Sequence, residues 1–311
     1  MNLYRACGMT VACDRALPEL APARAGTPDW VVRTERPQPR RYRWFTHTSL
    51  PDGRRWMSIA EHDGDYALRF GNLTTFEIAP RQRLIRSMPA RGTAASTVRH
   101  LLLDQVLPLV AGSHDRLALH ASAVASPRGA IGFLGMAGRG KSTIAALLAR
   151  AGWPLVCDDC LLVERRGGSL VTVPAYPGVR LLPDIVENLF APAGRRYPRV
   201  AAYSPKRRVS PRQLPFARTA VPVARVYVLG ASLRGGRQAV TIADRPRRHA
   251  MLDVIKHMLL LDVRSRTHAE QTFSLAGTLV ERVSIRTLRC ARDLSRLDEI
   301  KDRIMADVLA G

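Results

Sequence analysis

The chain has 311 residues, 46% of them hydrophobic, so it is long enough to bury one large core or two smaller ones. Its longest apolar stretches are broken by Asp104 and Asp262 and are too short to cross a bilayer. Arg5 and Asp14 stand where a signal peptide has an apolar run, and the five cysteines are odd in number. We therefore expect a cytoplasmic protein with reduced thiols and no membrane partner.

The formal net charge of +22 favours an anionic partner, and the charge is unevenly distributed. No aspartate or glutamate occurs from residue 188 to 243, a segment with eleven arginines and lysines, seven of which lie between 195 and 212. Such a segment suits phosphates, an acidic peptide or nucleic acid, or is a solvated basic loop. Nucleic acid is the least favoured of these, because only Tyr197 and Tyr203 lie in the stretch 195–212 and could stack on bases.

Residues 1–111 predict a β-rich N-terminal region with one helix. Asp52-Gly53 and Asp63-Gly64 indicate hairpin turns, and apolar residues fall on one face of a helix at about 94–107. We place the domain boundary between residues 111 and 112, and we assign no chemistry to the N-terminal region.

The pattern changes in residues 112–311, which predict an α/β fold with a nucleotide-binding P-loop and C-terminal helices. "LALHASAVAS" and "GAIGFLG" predict two adjacent strands, "KSTIAALLARAG" a helix that ends at Gly152, and "WPLVC" a buried strand that closes a βαβ unit. The further predicted elements are a hairpin at Gly167-Gly168, two strands around Gly235-Gly236, helices at about 247–262, 267–280 and 293–309, and the strand "VSIRTLRC".

One loop fits the phosphate-binding pattern GxxxxGK[ST] at every defined position, and an apolar strand precedes it while an apolar helix follows. The loop consists of Gly135, Met136, Ala137, Gly138, Arg139, Gly140, Lys141 and Ser142, and Thr143 follows it in the helix. Its backbone N–H groups and the helix N-terminus attract phosphate oxygens. We expect Lys141 to reach the β- and γ-phosphates of ATP or GTP, and the Ser142 hydroxyl to ligate Mg²⁺.

Asp158 and Asp159 follow the next predicted strand and should lie at the mouth of the nucleotide site. We assign Asp158 as the base that accepts a proton from an attacking hydroxyl, and Asp159 as a Mg²⁺ neighbour together with Ser142. The two roles could be reversed, both carboxylates could serve Mg²⁺, or one could cap the following turn. His120, on the strand before the loop, is a third candidate, although a lone histidine in a strand is more often structural.

Cys157 and Cys160 form a CxxC pair beside these aspartates. No second CxxC or Cys/His pair lies at metal-ligand spacing, so we interpret both as residues at the end of a strand.

The combination of "LHASAV", "GxxxxGKST" and "GWPLVCDD" resembles the catalytic domain of the HPr kinase/phosphorylase family over residues 112–245. In that family a histidine, the P-loop and a double aspartate build the active site, which implies roles there for His120, Lys141, Asp158 and Asp159. "FEIAP", "HLLLDQVLP", "AYPGVRLLPD", "AYSPKRR" and "RVSIRTLRCARDLSRL" are similar to the HPr-kinase-like proteins of lasso-peptide clusters. Members of that group phosphorylate a serine at the C-terminus of a precursor peptide.

The family's signature EIRGLG is replaced here by "YPGVRLLPD", so its metal-binding glutamate is not evident and Arg180 is the surviving counterpart. This departure argues against phosphorylase activity and against HPr as the substrate. Arg180, Lys206, Arg207 and Arg208 become candidates for holding nucleotide or peptide phosphate, since arginine suits bidentate phosphate binding.

The sequence therefore predicts an ATP- or GTP-dependent serine kinase with Mg²⁺ as cofactor and a ribosomally made precursor peptide as partner. A kinase of a small molecule such as free serine, a P-loop ATPase that binds nucleic acid, and a scaffold that binds nucleotide without transfer are the alternatives. A homo-oligomer is left open.

Overall fold

The computed structural model describes residues 1–24, 26–37, 41–49, 53–113, 115–190, 197–230, 240–291 and 293–310. The chain divides into two compact units, Met1–Leu107 with Ala201–Tyr203, and Pro108–Val200 with Ser204–Gly311. The sequence-based boundary was 111/112, a few residues later. None of the helices in the described ranges is long and apolar enough to cross a membrane.

The first unit is built on an eight-stranded sheet in the order β1-β2-β3-β8-β7-β6-β5-β4. Its described elements are β1 (Asn2–Ala6), β2 (Met9–Cys13), β3 (Trp30–Thr34), β4 (Trp44–Ser49), β5 (Arg55–His62), β6 (Asp65–Phe70), β7 (Thr74–Ala79), a 3₁₀ turn (Pro80–Gln82), β8 (Leu84–Pro89), α1 (Ala95–Leu101) and a π-helical turn (Leu102–Val106). The β-rich N-terminal region and its helix are thereby confirmed. The predicted turn at Asp63-Gly64 joins β5 to β6 with both residues at positive φ, whereas Asp52 of the other predicted turn lies outside the described residues.

The second unit is mixed α/β. Its described elements are α2 (Leu107–Gly112), β9 (Leu117–Leu119), β10 (Ala121–Ser126), β11 (Gly129–Leu134), α3 (Lys141–Arg150), β12 (Leu155–Cys157), β13 (Leu161–Arg166), β14 (Ser169–Val173), β15 (Val179–Leu181), α4 (Pro183–Phe190), β16 (Arg207–Val209), β17 (Val221–Leu229), β18 (Thr241–Asp244), α5 (Arg247–Lys256), α6 (Arg266–Arg282), β19 (Ser284–Arg289), a 3₁₀ turn (Leu294–Arg296) and α7 (Leu297–Ala310).

Nine strands of this unit form one branched sheet. Its path is β12-β10-β11-β17-β14-β13-β9, and β19 pairs with both β17 and β18. β17 and β19 run parallel to β11, so the carboxyl ends of these three strands open at one edge. β15 and β16 form a separate two-stranded ribbon.

The core of the second unit lies between the sheet and the helices α3 and α7. Buried apolar side chains from β11, α3 and α7 share one cluster with residues of the ribbon and of β17 and β19. "KSTIAALLAR" forms α3 because its interior has no glycine or proline and is rich in alanine and leucine, and its residues from Ile144 to Ala149 are all buried. α3 is thus fixed firmly with its first turn at the open edge of the sheet.

Several sequence-based elements differ from the structure. "LALHASAVAS" is two strands, because it bends at His120: β9 pairs with β13, whereas β10 pairs with β11 and β12. The helix expected to reach 262 ends at Lys256, and α4 was not predicted. The turn expected at Gly235-Gly236 lies outside the described residues. The hairpin at Gly167-Gly168 and the helices near 267–280 and 293–309 are confirmed.

Candidate functional site

The predicted phosphate loop joins the carboxyl end of β11 to the first turn of α3. Gly138 and Gly140 have φ values of +73° and +92°, in the left-handed region that favours glycine, and Gly140 is the N-cap of α3. No neighbouring atom lies within 4 Å of a side chain that either glycine would carry, so the backbone conformation, not space, requires glycine there. The loop can therefore present its N–H groups to an anion at the helix N-terminus.

Lys141, the first residue of α3, is buried and its amino group lies inside the loop. Nζ donates to the carbonyl of Gly135 at 2.8 Å and of Met136 at 3.4 Å, and to Nε2 of His120 at 3.1 Å. Burial lowers the pKa of Lys141, and the nearby carboxylates of Asp159 and Asp158 oppose that shift. The Lys141 amine thus lies between the glycine-rich loop and the polar residues His120 and Asp159.

His120 connects the lysine to the aspartate pair. Its Nδ1 lies 3.2 Å from the carbonyl oxygen of Asp159, and its Nε2 faces the Lys141 amine. A carbonyl only accepts and an ammonium only donates, so these partners select the neutral tautomer with the proton on Nδ1. Burial, followed by the charge of Lys141, lowers the pKa of His120 in agreement with a neutral ring.

Asp158 follows β12 and is a fully buried carboxylate with several partners. Oδ1 accepts from the Ser122 hydroxyl at 2.9 Å, and Oδ2 accepts from the backbone N–H and Nε of Arg180 at 2.9 and 3.1 Å. Ser142, on the first turn of α3, also lies near this carboxylate. Burial, followed by the charge of Asp159, raises the pKa of Asp158 to about 6.

Asp159 turns the other way. Its φ of +64° is left-handed, a conformation that aspartate tolerates better than most residues, and it lets adjacent carboxylates diverge. The Asp159 side chain is 16% exposed and contacts Nη2 of Arg180 at 3.3 Å and Nζ of Lys206 at 3.9 Å. The carboxylate of Asp159 therefore lines the cavity, whereas the carboxylate of Asp158 is buried beside it.

Besides Lys141, Arg180 of β15 and Lys206, which comes just before β16, bring positive charge to this cluster. Arg180, on β15, is 1% exposed, donates through Nη2 to the Asp158 carbonyl at 2.6 Å, and stacks over the ring of Tyr176. Lys206 directly precedes β16 and is 38% exposed. Arg180 is therefore occupied with the aspartates, and Lys206 is the more accessible of the two cations.

A cavity of about 480 Å³ lies along the loop. Of the sequence-based site residues, those that line it are His120, Ala137, Gly138, Arg139, Gly140, Lys141, Ser142, Thr143, Asp159, Arg180 and Lys206. Gly135, Met136, Asp158, Arg207 and Arg208 are not among its lining residues; Met136 is exposed on the surface, and Asp158 lies beneath the cavity floor. The basic segment 195–212 begins outside the described residues, and of its part from 197 onward only Lys206 reaches the cavity.

Two residues at the site were missed from the sequence. Ser122 lies two positions after His120 in "LHASAVA", so a strand period of two could have drawn attention to it. Tyr176, beneath the Arg180 guanidinium, carried no recognisable signal. The remaining lining is mostly aliphatic and comes from α3, from the end of β15 and the start of α4, from the ends of β17 and β19, and from residues 290–300.

The oxygen donors here are compatible with Mg²⁺. Ser142 lies on the first turn of α3 with Asp158 near it, and a hydroxyl and a carboxylate are hard oxygen ligands that suit this ion. The described residues contain no group of three or more His, Cys, Asp or Glu side chains able to hold a metal, so phosphate and water would supply the remaining ligands. Cys157 and Cys160 are both buried, and they are not joined in a disulfide.

Comparisons with known proteins add little to this geometry. No family model matches the chain, and no curated protein is similar to it. Among solved structures, the chain is similar to the Hpr(Ser) kinase/phosphatase from Coxiella burnetii, with 13% sequence identity and a TM-score of 0.31 over 62% of this chain and 99% of that one. A functional assignment must therefore come from the residues of the site.

Proposed function

We propose that this protein is a kinase that transfers the terminal phosphate of ATP or GTP to a hydroxyl group. One observation carries the proposal: a partly exposed carboxylate, Asp159, lies in the same cavity as a phosphate-type loop and its lysine. A kinase needs a base for the acceptor and cations for the transferred phosphoryl group.

The geometry favours an exchange of the roles that the sequence suggested for the two aspartates. Asp158 has both oxygens engaged by Ser122 and Arg180 and is 0% exposed, so an acceptor cannot reach it. We therefore assign Asp159 as the base, and Asp158 as the residue that supports Ser142 at the Mg²⁺ position. A bound Mg²⁺ would neutralise charge on the phosphate oxygens.

In the transfer, the acceptor O–H proton passes to the Asp159 carboxylate as the acceptor oxygen bonds to the terminal phosphorus. The bond from that phosphorus to its bridging oxygen breaks, and the nucleoside diphosphate leaves. Loop N–H groups and the Lys141 amine hold the phosphates, and Lys206 balances the charge beside Asp159. His120 keeps both the lysine and the Asp159 backbone in position.

For the acceptor we propose a serine of a peptide, such as a lasso-type precursor. The support is the set of sequence motifs shared with precursor kinases and the basic, acid-free segment from 188 to 243, which suits an acidic peptide. This part of the proposal is independent of the phosphate-transfer chemistry and can fail separately.

Intact-mass spectrometry of a candidate precursor peptide with a serine at its C-terminus tests both parts, after incubation with protein, Mg²⁺ and ATP or GTP. We expect a gain of one or more phosphates, lost in Lys141→Ala and kept in the matched Lys256→Ala, whose lysine is not among those lining the cavity. Nucleotide turnover without an increase in the peptide's mass would indicate that the acceptor is a small molecule and not this peptide. Absence of nucleotide binding would refute the kinase.

A further inference from the structure

The cavity has two chemically different ends, and the strand order sets them on opposite sides of the phosphate loop. On one side, β10 begins just after His120, and beyond β10 lies β12, which the aspartate pair follows. On the other side, the carboxyl ends of β17 and β19 carry Leu229 and Leu288. Further aliphatic residues that line the cavity are Leu182, Ile185, Leu294, Leu297 and Ile300.

The loop defines the direction in which a nucleotide must lie. The Lys141 amine, which in such loops meets the β- and γ-phosphates, lies against His120, on the polar side. The terminal phosphate therefore belongs with Asp159 and Lys206. The α-phosphate and the nucleoside then point toward Thr143 and Ile144 at the start of α3, which packs against α7.

We infer that the aliphatic end of the cavity, bounded by Leu229, Leu288, Cys290, Leu294 and Leu297, is the nucleobase and ribose site. The inference rests on the proposed kinase function and specifies how the nucleotide is oriented. It also leaves the polar end, beside Lys206, for the acceptor hydroxyl.

Size and chemistry support this occupant. About 480 Å³ is within the usual range for a small-molecule site, and more than a phosphate group needs. A purine presents flat apolar faces, for which aliphatic side chains are suitable walls, and the small residues Gly230 and Ala291 line the same space. The edge of the sheet where β11, β17 and β19 end is also where open α/β sheets bind ligands.

Cys290 gives a direct reporter of this end. It lines the cavity and is partly exposed, whereas the other four cysteines are buried. Burial raises the pKa of the Cys290 thiol, so labelling with N-ethylmaleimide is best run at about pH 8.5. The measurement is the rate of Cys290 modification in the full-length protein by peptide mapping, with Mg²⁺ and either ADP, GDP or pyrophosphate.

We expect ADP or GDP at ten times its Kd to slow the labelling about elevenfold, because only about one site in eleven is then empty. Pyrophosphate, at a concentration that displaces a fluorescent nucleotide, should leave the rate within about twofold of the free protein. The nucleobase assignment would be overturned if the nucleoside diphosphate and pyrophosphate protected Cys290 equally, or if both bound and neither protected it. Either result would leave the assignment of the phosphate site unchanged. Protection by the acceptor peptide alone would assign this end to the acceptor.

A space-filling variant gives the complementary test. Ala291→Trp should weaken nucleotide binding about thirtyfold and change pyrophosphate binding less than twofold, with Ala291→Ser as the matched control. Thermal unfolding shows whether the variant is folded. A folded Ala291→Trp protein with unchanged ADP affinity would refute the nucleobase assignment. If the wild-type protein binds neither nucleotide nor pyrophosphate, the proposed kinase function itself is refuted.

Discussion

Two adjacent aspartates with identical side chains differ in every physical property that decides their role. Asp158 lies in a buried network with Ser122 and Arg180, while Asp159 turns into the cleft through a left-handed backbone conformation. The difference follows from the turn after β12 and from the ribbon that brings Arg180 to it. Residue identity alone could not separate the two.

Asp159→Asn should abolish transfer while the fold and nucleotide affinity are kept. Loss of a positioned general base costs about 10²- to 10⁴-fold in rate, and an amide fits the same partly exposed space. Steady-state kinetics and a nucleotide titration check this. Retention of full kcat in Asp159→Asn would remove Asp159 as the base.

Asp158→Asn is the matched change at the neighbouring position, and we expect its effect on stability to be larger. Arg180 would keep Asp159 but lose the nearer of its two carboxylate partners in a buried site, a change that costs about 1–3 kcal/mol of unfolding free energy. Chemical denaturation of both variants measures the difference. Equal stability of the two would mean that Arg180 is adequately held by Asp159 and the Asp158 backbone.

At the level of the elements, the tertiary contacts decide where strands and helices end. The apolar pattern of α5 continues past Lys256, yet the chain leaves the helix there. The carbonyl of His257 accepts from the His120 N–H at 2.7 Å, and the N–H of Leu259 donates to Ala118. This pairing beside β9 breaks the helix, and it also fixes the backbone at His120.

The last helix, α7, is joined to the sheet by hydrogen bonds and ion pairs of the Asp307 carboxylate. Asp307 accepts from Nη1 of Arg225 at 2.6 Å and from the Tyr227 hydroxyl at 2.5 Å, and it pairs with Arg286. Burial alone would raise the pKa of Asp307, but the bonds from Tyr227, Arg286 and Arg225 outweigh it and lower the pKa. The ionised form is thus favoured in the folded protein.

For an acid with a lowered folded pKa, the stabilisation is present above the unfolded value of 3.8 and is lost as pH falls through the folded value. We expect Asp307→Asn to reduce the unfolding free energy by about 1–3 kcal/mol at pH 7, with the deficit shrinking below about pH 4. Urea denaturation across this range provides the measurement. Asp302→Asn, on the same helix but 70% exposed, should change stability by less than about 0.5 kcal/mol. A deficit independent of pH would exclude the carboxylate charge as its cause.

Across the whole molecule, the features most clearly predictable from the sequence are those formed by residues close together in the chain. The glycine-rich loop before α3, α3 itself and the turns at Asp63-Gly64 and Gly167-Gly168 follow from glycine positions and short-range periodicity, so they were predictable. The contact of Arg180 with Asp158 joins residues far apart in the chain, and no periodicity reports it. The walls of the cavity come from the ends of separate strands and from α7, so the aliphatic end could be recognised only once the strand order was known.

The basic charge of the chain is also a property of the whole molecule, and it leads to a prediction about the acceptor. With +22 formal charges and no acid from 188 to 243, the protein should attract an acidic peptide from a distance. Screening shortens the range of that attraction as salt rises, whereas the transfer step inside the cavity is shielded from it.

The KM for an acidic acceptor peptide should therefore rise about five- to tenfold between 50 and 200 mM salt, with kcat nearly constant. A control peptide in which the acidic residues are replaced by their amides should show a higher KM at low salt and little dependence on salt. Phosphorylation rates by mass spectrometry across the salt series measure both. If the two peptides respond alike, the basic segment does not recruit the acceptor, and its charge must serve the nucleotide or solubility instead.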